Sequence, residues 1–240
     1  MKSKKLKKWT TLLTCATALT VMTACSQSSS QSTGTTTSSK TSAVTATTSK
    51  KTNKNNSNYF TSKDSDTSYN ESSATKIKLS GLSADVSDDG AALSGSTVTI
   101  SKAGTYVISG ESDGVQIKVD AGDSDDFHIV LDGVTMTNTN AAINATKAGH
   151  VYLTLKDGTT NTLSDSSSNS DEDADAVIFS KGDLTINGSG TLNIDAKKNN
   201  GIKANDSLHM TGGTYKICLL YTSITAVLLL PMIQMTCSSS

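Results

Sequence analysis

Residues 175–194 read DAVIFSKGDLTINGSGTLNI, and residues 200–217 read NGIKANDSLHMTGGTYKI. Each runs in the same order: a short apolar segment around an Ile (Ile178, Ile202), a polar turn, a second segment, a Gly-rich turn and a third segment. Leu184 and Leu208 head the second segments and are separated by 24 residues. Two earlier stretches follow the same order. Ile117 in GVQIKV precedes FHIVL and LDGVTMTN, and Ile143 in AAINAT precedes VYLTL and LKDGTTNTL. Extra residues in these units fall between segments, at 120–127 and 164–174.

Three short β-branched segments per unit mark a stacked repeat. A unit of this size cannot bury its own apolar positions and must bury them against its neighbours. Ile, Val and Leu are expected to point inward in ladders, with Gly, Asn and Asp at corners that need positive φ. Val98–Ile100 and Tyr106–Ile108 are further strand candidates, and no stretch supports a helix of ordinary length. An antiparallel sandwich would account for the strand lengths but not for the recurrent order. The expected fold class is therefore all-β, a parallel β-helix over residues 76–217.

Composition separates this region from its flanks. Formal net charge is −1, but residues 1–75 carry 10 Lys and 3 acids, whereas residues 76–217 carry 11 Lys and 19 acids. Residues 218–240 carry no charge, and the chain contains no Arg. An acidic ladder without Arg excludes a nucleic-acid binder. Lys2, Lys4, Lys5, Lys7 and Lys8 precede an apolar run from Trp9 to Ala24, the layout of an export signal over 1–24. Met22-Thr-Ala-Cys25 resembles a lipoprotein box, with Met where Leu is usual, which makes Cys25 the expected lipidation site. Residues 25–75 form the expected disordered tether, since 27 of residues 26–75 are Ser or Thr and too little apolar surface is present to order them. The expected location is the extracellular face of the membrane, reached through the lipid alone.

The quoted units, together with this lipobox, tether and ladder layout, resemble a family of extracellular carbohydrate-binding lipoproteins of Gram-positive bacteria. The resemblance implies a right-handed, pectate-lyase-like β-helix, association with calcium, and binding of plant cell-wall polysaccharides, acidic ones such as polygalacturonate and cellulose among them. It implies no particular sugar-binding residue.

Clustered carboxylates bear on the calcium expectation, because Ca²⁺ takes about six to eight oxygen ligands. Asp171, Glu172, Asp173 and Asp175 lie in the longest insertion, with Asp165 nearby; Asp123, Asp125 and Asp126, and Asp85, Asp88 and Asp89, form smaller groups. If adjacent units stack about 4.8 Å apart, Asp173 and Asp175 fall beside Asn199, Asn200 and Asp206. The candidate calcium ligands are thus Asp165, Asp171, Asp173, Asp175, Asn200 and Asp206. Aromatics for stacking on sugars are few: Tyr106, Phe127, Tyr152, Phe179 and Tyr215. Phe127 and Phe179 read as core and Tyr152 as exposed.

The alternatives to a sugar-binding lipoprotein are a lyase-like enzyme and a surface adhesin with no sugar ligand. A lyase needs a base beside the α-proton and a cation at the uronate. With no Arg, the base would have to be a Lys such as Lys197, Lys198 or Lys203. His128, His150 and His209 fall in different units and form no catalytic spacing. The expectation is a non-catalytic monomer whose partner is a polysaccharide. The ladder itself, 76–217, contains no Cys.

From Cys218 the texture breaks. CLLYTS (218–223) matches the translation of a transposon-end sequencing adapter, and Met232-Ile and Met235-Thr read Asp in a shifted frame. Residues 218–240 are expected to be a frameshift artefact and the ladder to be truncated at its C-terminus.

Overall fold

Period-two burial dominates the ladder. In Thr191–Ala196 every second side chain is buried, and in Gln116–Asp120 Ile117 and Val119 are buried between half-exposed neighbours. The computed structural model describes residues 59–219 and the backbone of 233–234. Among the described residues there are strands and one short 3-10 helix, Ser62–Ser65. The export signal, Cys25 and most of the tail lie outside the described residues.

Four units are stacked in parallel register. On one face β6 (Gln116–Asp120), β8 (Ile143–Lys147), β11 (Ala176–Ser180) and β14 (Asn200–Ala204) pair in that order. Ile117 pairs with Ile143, Ile143 with Ile178, and Ile178 with Ile202, the alignment read from the sequence. On a second face β7 (Asp126–Thr137), β9 (His150–Leu155), β12 (Asp183–Gly188) and β15 (Leu208–Met210) pair, with Leu184 opposite Leu208. The C-terminal half of β7 continues into a third face with β10 (Thr160–Ser164), β13 (Thr191–Ala196) and β16 (Thr214–Leu219). A two-residue strand, β17 (Ile233–Gln234), pairs in parallel with β16. The third segments therefore stack as well: Met136, Leu163, Ile194 and Ile217 are register partners in turn. Parallel pairing throughout these faces removes the antiparallel sandwich.

The corner between the second and third faces develops along the ladder. Where β7 pairs with β5 (Gly104–Asp113), the register shifts beside Gly133, whose φ is +69°. One extra residue thus makes a bulge. In the next unit it becomes a full turn, Lys156–Thr159. Gly188 takes that corner in the following unit at φ +94°, and a Cβ there would collide with the Leu155 carbonyl oxygen. Units stack this closely only because the corner lacks a side chain.

Ile, Val and Leu from all three faces fill one core, with Phe127, Tyr106 and Tyr215 buried in it. Asn161, also fully buried, accepts the Val134 N–H on Oδ1 at 2.9 Å and donates through Nδ2 to Thr159 Oγ1 and the Thr191 carbonyl. It thereby joins three adjacent units from inside. Phe179 is buried, but not in this core. It packs with Ala141, Ala174 and Ala176 beneath the 165–175 insertion, on the outer side of the first face. Antiparallel hairpins close the N-terminal end: β1 (Thr75–Gly81) with β2 (Ser83–Val86), and β3 (Ala91–Ser94) with β4 (Thr97–Ile100). Cys218, near the end of β16, is disulfide-bonded.

The region read as a tether differs from expectation at its end. Residues 59–74 lie across the outer side of the second face, held by the contacts described next. That docking orders a segment whose own composition could not.

Candidate functional site: the strapped polar face

The outer side of β7, β9, β12 and β15 carries polar side chains in register. His128 is opposite Tyr152, Tyr152 opposite Thr185, and Thr185 opposite His209. Two positions back, Asp126, His150 and Asp183 align; two positions on from the first row, Thr154 aligns with Asn187. Outward-facing polar residues on a ladder would normally be solvated. Here the strap, residues 59–74, covers them.

Asp64 anchors the strap. Its carboxylate, 1% exposed, accepts hydrogen bonds from Thr185 Oγ1 at 2.6 Å and from the Thr61 N–H at 2.7 Å, and lies 3.1 Å from His209 Nδ1. Burial opposes its charge, but the bonds from Thr185, Thr61 and His209 outweigh that cost and hold its pKa down at about 2. The Asp64 and Asp66 carbonyls both accept from Asn187 Nδ2, and the Asp64 carbonyl also accepts from Thr211 Oγ1 at 2.6 Å. These strap carbonyls therefore find their partners in the sheet, as buried backbone groups must.

Proton placement follows from counting donors. Thr185 gives its one hydroxyl proton to Asp64, so His150 Nε2, 2.8 Å away, is the donor to Thr185. Thr154 gives its proton to Asn187 Oδ1 at 2.6 Å, so His128 Nε2 donates to Thr154 at 2.7 Å. His209 Nδ1 donates to the Asp64 carboxylate. Every histidine on this face thus has a bonding duty. Aromatic contacts complete the cover. Phe60 lies 4.9 Å from His209 and Tyr69 meets His128 edge-on at 5.8 Å. Tyr69 and Ala74 pack on Val107 and Val130. Tyr152 was expected to be exposed, but it is only 8% exposed. It points outward, yet His150 stacks on it at 3.9 Å and Lys63 sits 4.6 Å over its ring. Lys63 also pairs with Asp126.

This arrangement sets a pH dependence. Desolvation lowers the pKa values of His128 and His150. Their neutral forms favour docking, so their stabilisation is full above about 6.5 and is lost as pH falls through that value toward the folded pKa. Asp64 acts in the same direction at lower pH, from about 4 down to about 2. Asp66 near His128, and Asp183, Asp64 and Asp126 near His150, limit the loss by attracting the imidazolium forms. Amide hydrogen exchange in residues 61–74, corrected for intrinsic rates, is expected to be faster at pH 5.5 than at pH 7.5. Equal protection at the two pH values would contradict this.

Beside the strap lies a groove of about 450 Å³. Thr67 and Tyr69 form one wall; Lys156, Asp157, Ser189 and Thr211, from the corners of three adjacent units, form the other. A second cleft of about 380 Å³ lies on the 165–175 insertion, lined by Asn169, Asp171, Glu172, Asp175, Lys198 and Asn199.

Of the six candidate calcium ligands, Asp171 and Asp175 line that second cleft, and the six do not converge. Asp175 Oδ1 is 2.5 Å from Lys203 Nζ, and its Oδ2 accepts from Asn200 at 3.3 Å. Buried Asp165 accepts the Lys197 N–H at 2.6 Å and Asn169 Nδ2 at 3.2 Å, tying the insertion to the next turn. Asp171 accepts the N–H groups of Asp173 and Ala174 within its own turn. Asp173 is exposed, and Asp206 lies beyond the far end of β14 from Asn200. Among the described residues no three His, Cys, Asp or Glu side chains form a metal-binding group. The stacking expectation held for Asp175 and Asn200, but a lysine of the next unit fills the place assigned to an ion. These residues do not fit a shared calcium. The lysines considered as bases are likewise engaged: Lys197 with Asp195, Lys198 with the Asn169 carbonyl, and Lys203 with Asp175.

Asp64, Lys63, Phe60 and Tyr69 are the residues that sequence reasoning missed. A signal was present: Tyr59, Phe60, Tyr69 and the acids Asp64, Asp66 and Glu71 are the only aromatic and acidic residues in the Ser/Thr-rich stretch 26–75.

Comparison with known proteins falls on the ladder. A family model described as carbohydrate-binding domain-containing protein matches residues 94–226. A protein of that description from Acetivibrio thermocellus is 39% identical over 135 residues, 54% of this chain and 47% of its own length. The chain thus spans about half the length of this relative. The solved structure of a polysaccharide lyase-like protein from C. thermocellum, a gadolinium derivative, superposes with a TM-score of 0.57 at 36% identity, over 60% of this chain and 62% of that one. With a family match covering just over half its length, this chain belongs to the carbohydrate-binding domain-containing protein family.

Proposed function

We propose that this chain is a non-catalytic polysaccharide-binding domain held at the outer surface of the cell by a lipid on Cys25. The observation that carries the reading is that the family match, residues 94–226, covers most of the ladder, whose outer second face carries polar side chains in register. In this reading the three faces wind into a right-handed parallel β-helix. Parallel strands joined by crossovers follow that hand in nearly all cases, and the lyase-like neighbour is consistent with it. The bonding of His128 to Thr154, of His150 to Thr185 and of His209 to Asp64 of the strap, and of the three lysines to carbonyl or carboxylate groups, supports binding over catalysis. Calcium forms no part of the proposal at the residues first considered, since the Lys203–Asp175 pair fills that place.

Native electrophoresis of the full chain through gels containing hydroxyethylcellulose, mixed-linkage β-glucan or polygalacturonate tests the reading, with Ca²⁺ and with EDTA. At least one polymer is expected to retard the chain relative to a plain gel, and no unsaturated uronide should accumulate by ultraviolet absorbance. Free migration in all three gels would remove the binding reading, and product formation would replace it with a lyase.

A further inference from the structure

We infer that the groove between the strap and the ladder corners is the sugar subsite, and that it takes an uncharged, hydroxyl-rich polysaccharide. This rests on the binding reading above and deepens it. The groove's volume, about 450 Å³, lies within the range of small-ligand sites, about 300–1,000 Å³. Its composition matches what a neutral sugar requires: one aromatic ring, Tyr69, for an apolar sugar face, and the hydroxyls of Thr67, Ser189 and Thr211 for exchange of hydrogen bonds.

Charge decides between neutral and acidic glycans. The cation at the groove, Lys156, donates to Asp132 at 2.6 Å and is already neutralised. Asp157 beside it is a carboxylate whose Oδ1 accepts from Ser189 Oγ at 2.6 Å, with no lysine among the described residues paired to it. A polyuronate would therefore meet a carboxylate with no free cation to offset it, on a ladder carrying eight more acids than lysines over residues 76–217. A neutral chain meets no such repulsion, and the second Asp157 oxygen suits a sugar hydroxyl.

The groove is also held in shape before any ligand arrives. Its floor includes buried Thr154, which donates to Asn187, and buried Asn187, which donates to the Asp64 and Asp66 carbonyls and so holds the Thr67–Tyr69 wall against the corners. Gly188 and Gly212 add no side chain to that floor. A wall fixed in advance loses little freedom on binding.

The test uses the full chain in the same gels. Tyr69→Ala removes the ring, and Ser189→Trp fills the groove from an exposed position. Glu172→Gln, in the second cleft, serves as the control. The parent is expected to be retarded by hydroxyethylcellulose or β-glucan and not by polygalacturonate. Both groove variants should lose at least 10-fold in affinity while melting within a few degrees of the parent, and Glu172→Gln should bind as the parent does. Because Tyr69 also packs on Val107 and Val130, Ser189→Trp separates loss of the subsite from loss of strap packing. Parent-like binding by Ser189→Trp, stronger retardation by polygalacturonate, or loss confined to Glu172→Gln would each overturn the subsite while leaving polysaccharide binding in place. Absence of retardation of the parent in every gel would overturn both.

Discussion

Asp64→Ala is expected to undock the strap, so that trypsin cuts after Lys63 about 60-fold faster at pH 7.5. Depression of the Asp64 pKa from 3.8 to about 2 corresponds to about 2.4 kcal/mol at about 1.36 kcal/mol per unit, hence a factor of about 60. Deletion of the carboxylate also leaves the donors on Thr185, His209 and Thr61 without their acceptor. Each group stranded in this way costs about 1–3 kcal/mol, so about 60-fold is the low end. Cleavage follows the population of the open form when opening is fast. The Lys63 side chain, held by Asp126 and the Tyr152 ring, must leave both to enter the protease. Asp66→Ala is the comparison. It has similar chemistry two residues away, but its side chain caps only the exposed Ser68 and it should accelerate cleavage little. Equal rates for Asp64→Ala and the parent would remove Asp64 as the anchor.

The second large effect lies in the isoleucine ladder. Ile178 is 1% exposed, between Ile143 and Ile202. Ile178→Ala should cost about 2–5 kcal/mol, since units on both sides hold the cavity open. At about 2–4 °C per kcal/mol for a domain of this size, the midpoint of thermal unfolding should fall by about 5–15 °C. Ile202 holds the same position one unit on but is only partly buried, and Ile202→Ala should cost less than half as much. A ladder of mutually buried units requires that order; equal losses would mean that the units do not depend on stacking.

The parts of the molecule legible in the sequence share one physical origin. The Ile117, Ile143, Ile178 and Ile202 alignment became actual register pairs because burial on a ladder imposes one residue type at one phase, and period survives insertion between strands. Leu184 opposite Leu208 follows for the same reason. The strap left no period. Asp64 meets Thr185 across 121 residues, and a single segment lying across a sheet repeats nothing. Tyr152 shows the consequence: strand alternation gave its direction, outward, but burial depended on a segment read as tether. The acidic insertion failed differently. Density of carboxylates is visible in DEDAD, whereas the partner of each, a backbone N–H for Asp165 and Asp171 and Lys203 for Asp175, is set by stacking. Phe179 was correctly expected to be buried, but it lies under the insertion and outside the main core.

The most direct test of polysaccharide binding at the strapped face is an amide chemical-shift titration of the full chain with a soluble oligosaccharide of hydroxyethylcellulose or β-glucan type. Saturable shifts clustered at Thr67, Tyr69, Gly188, Ser189 and Thr211 are the result this account predicts. Shifts confined to the 165–175 insertion, or none at saturating oligosaccharide, would contradict it.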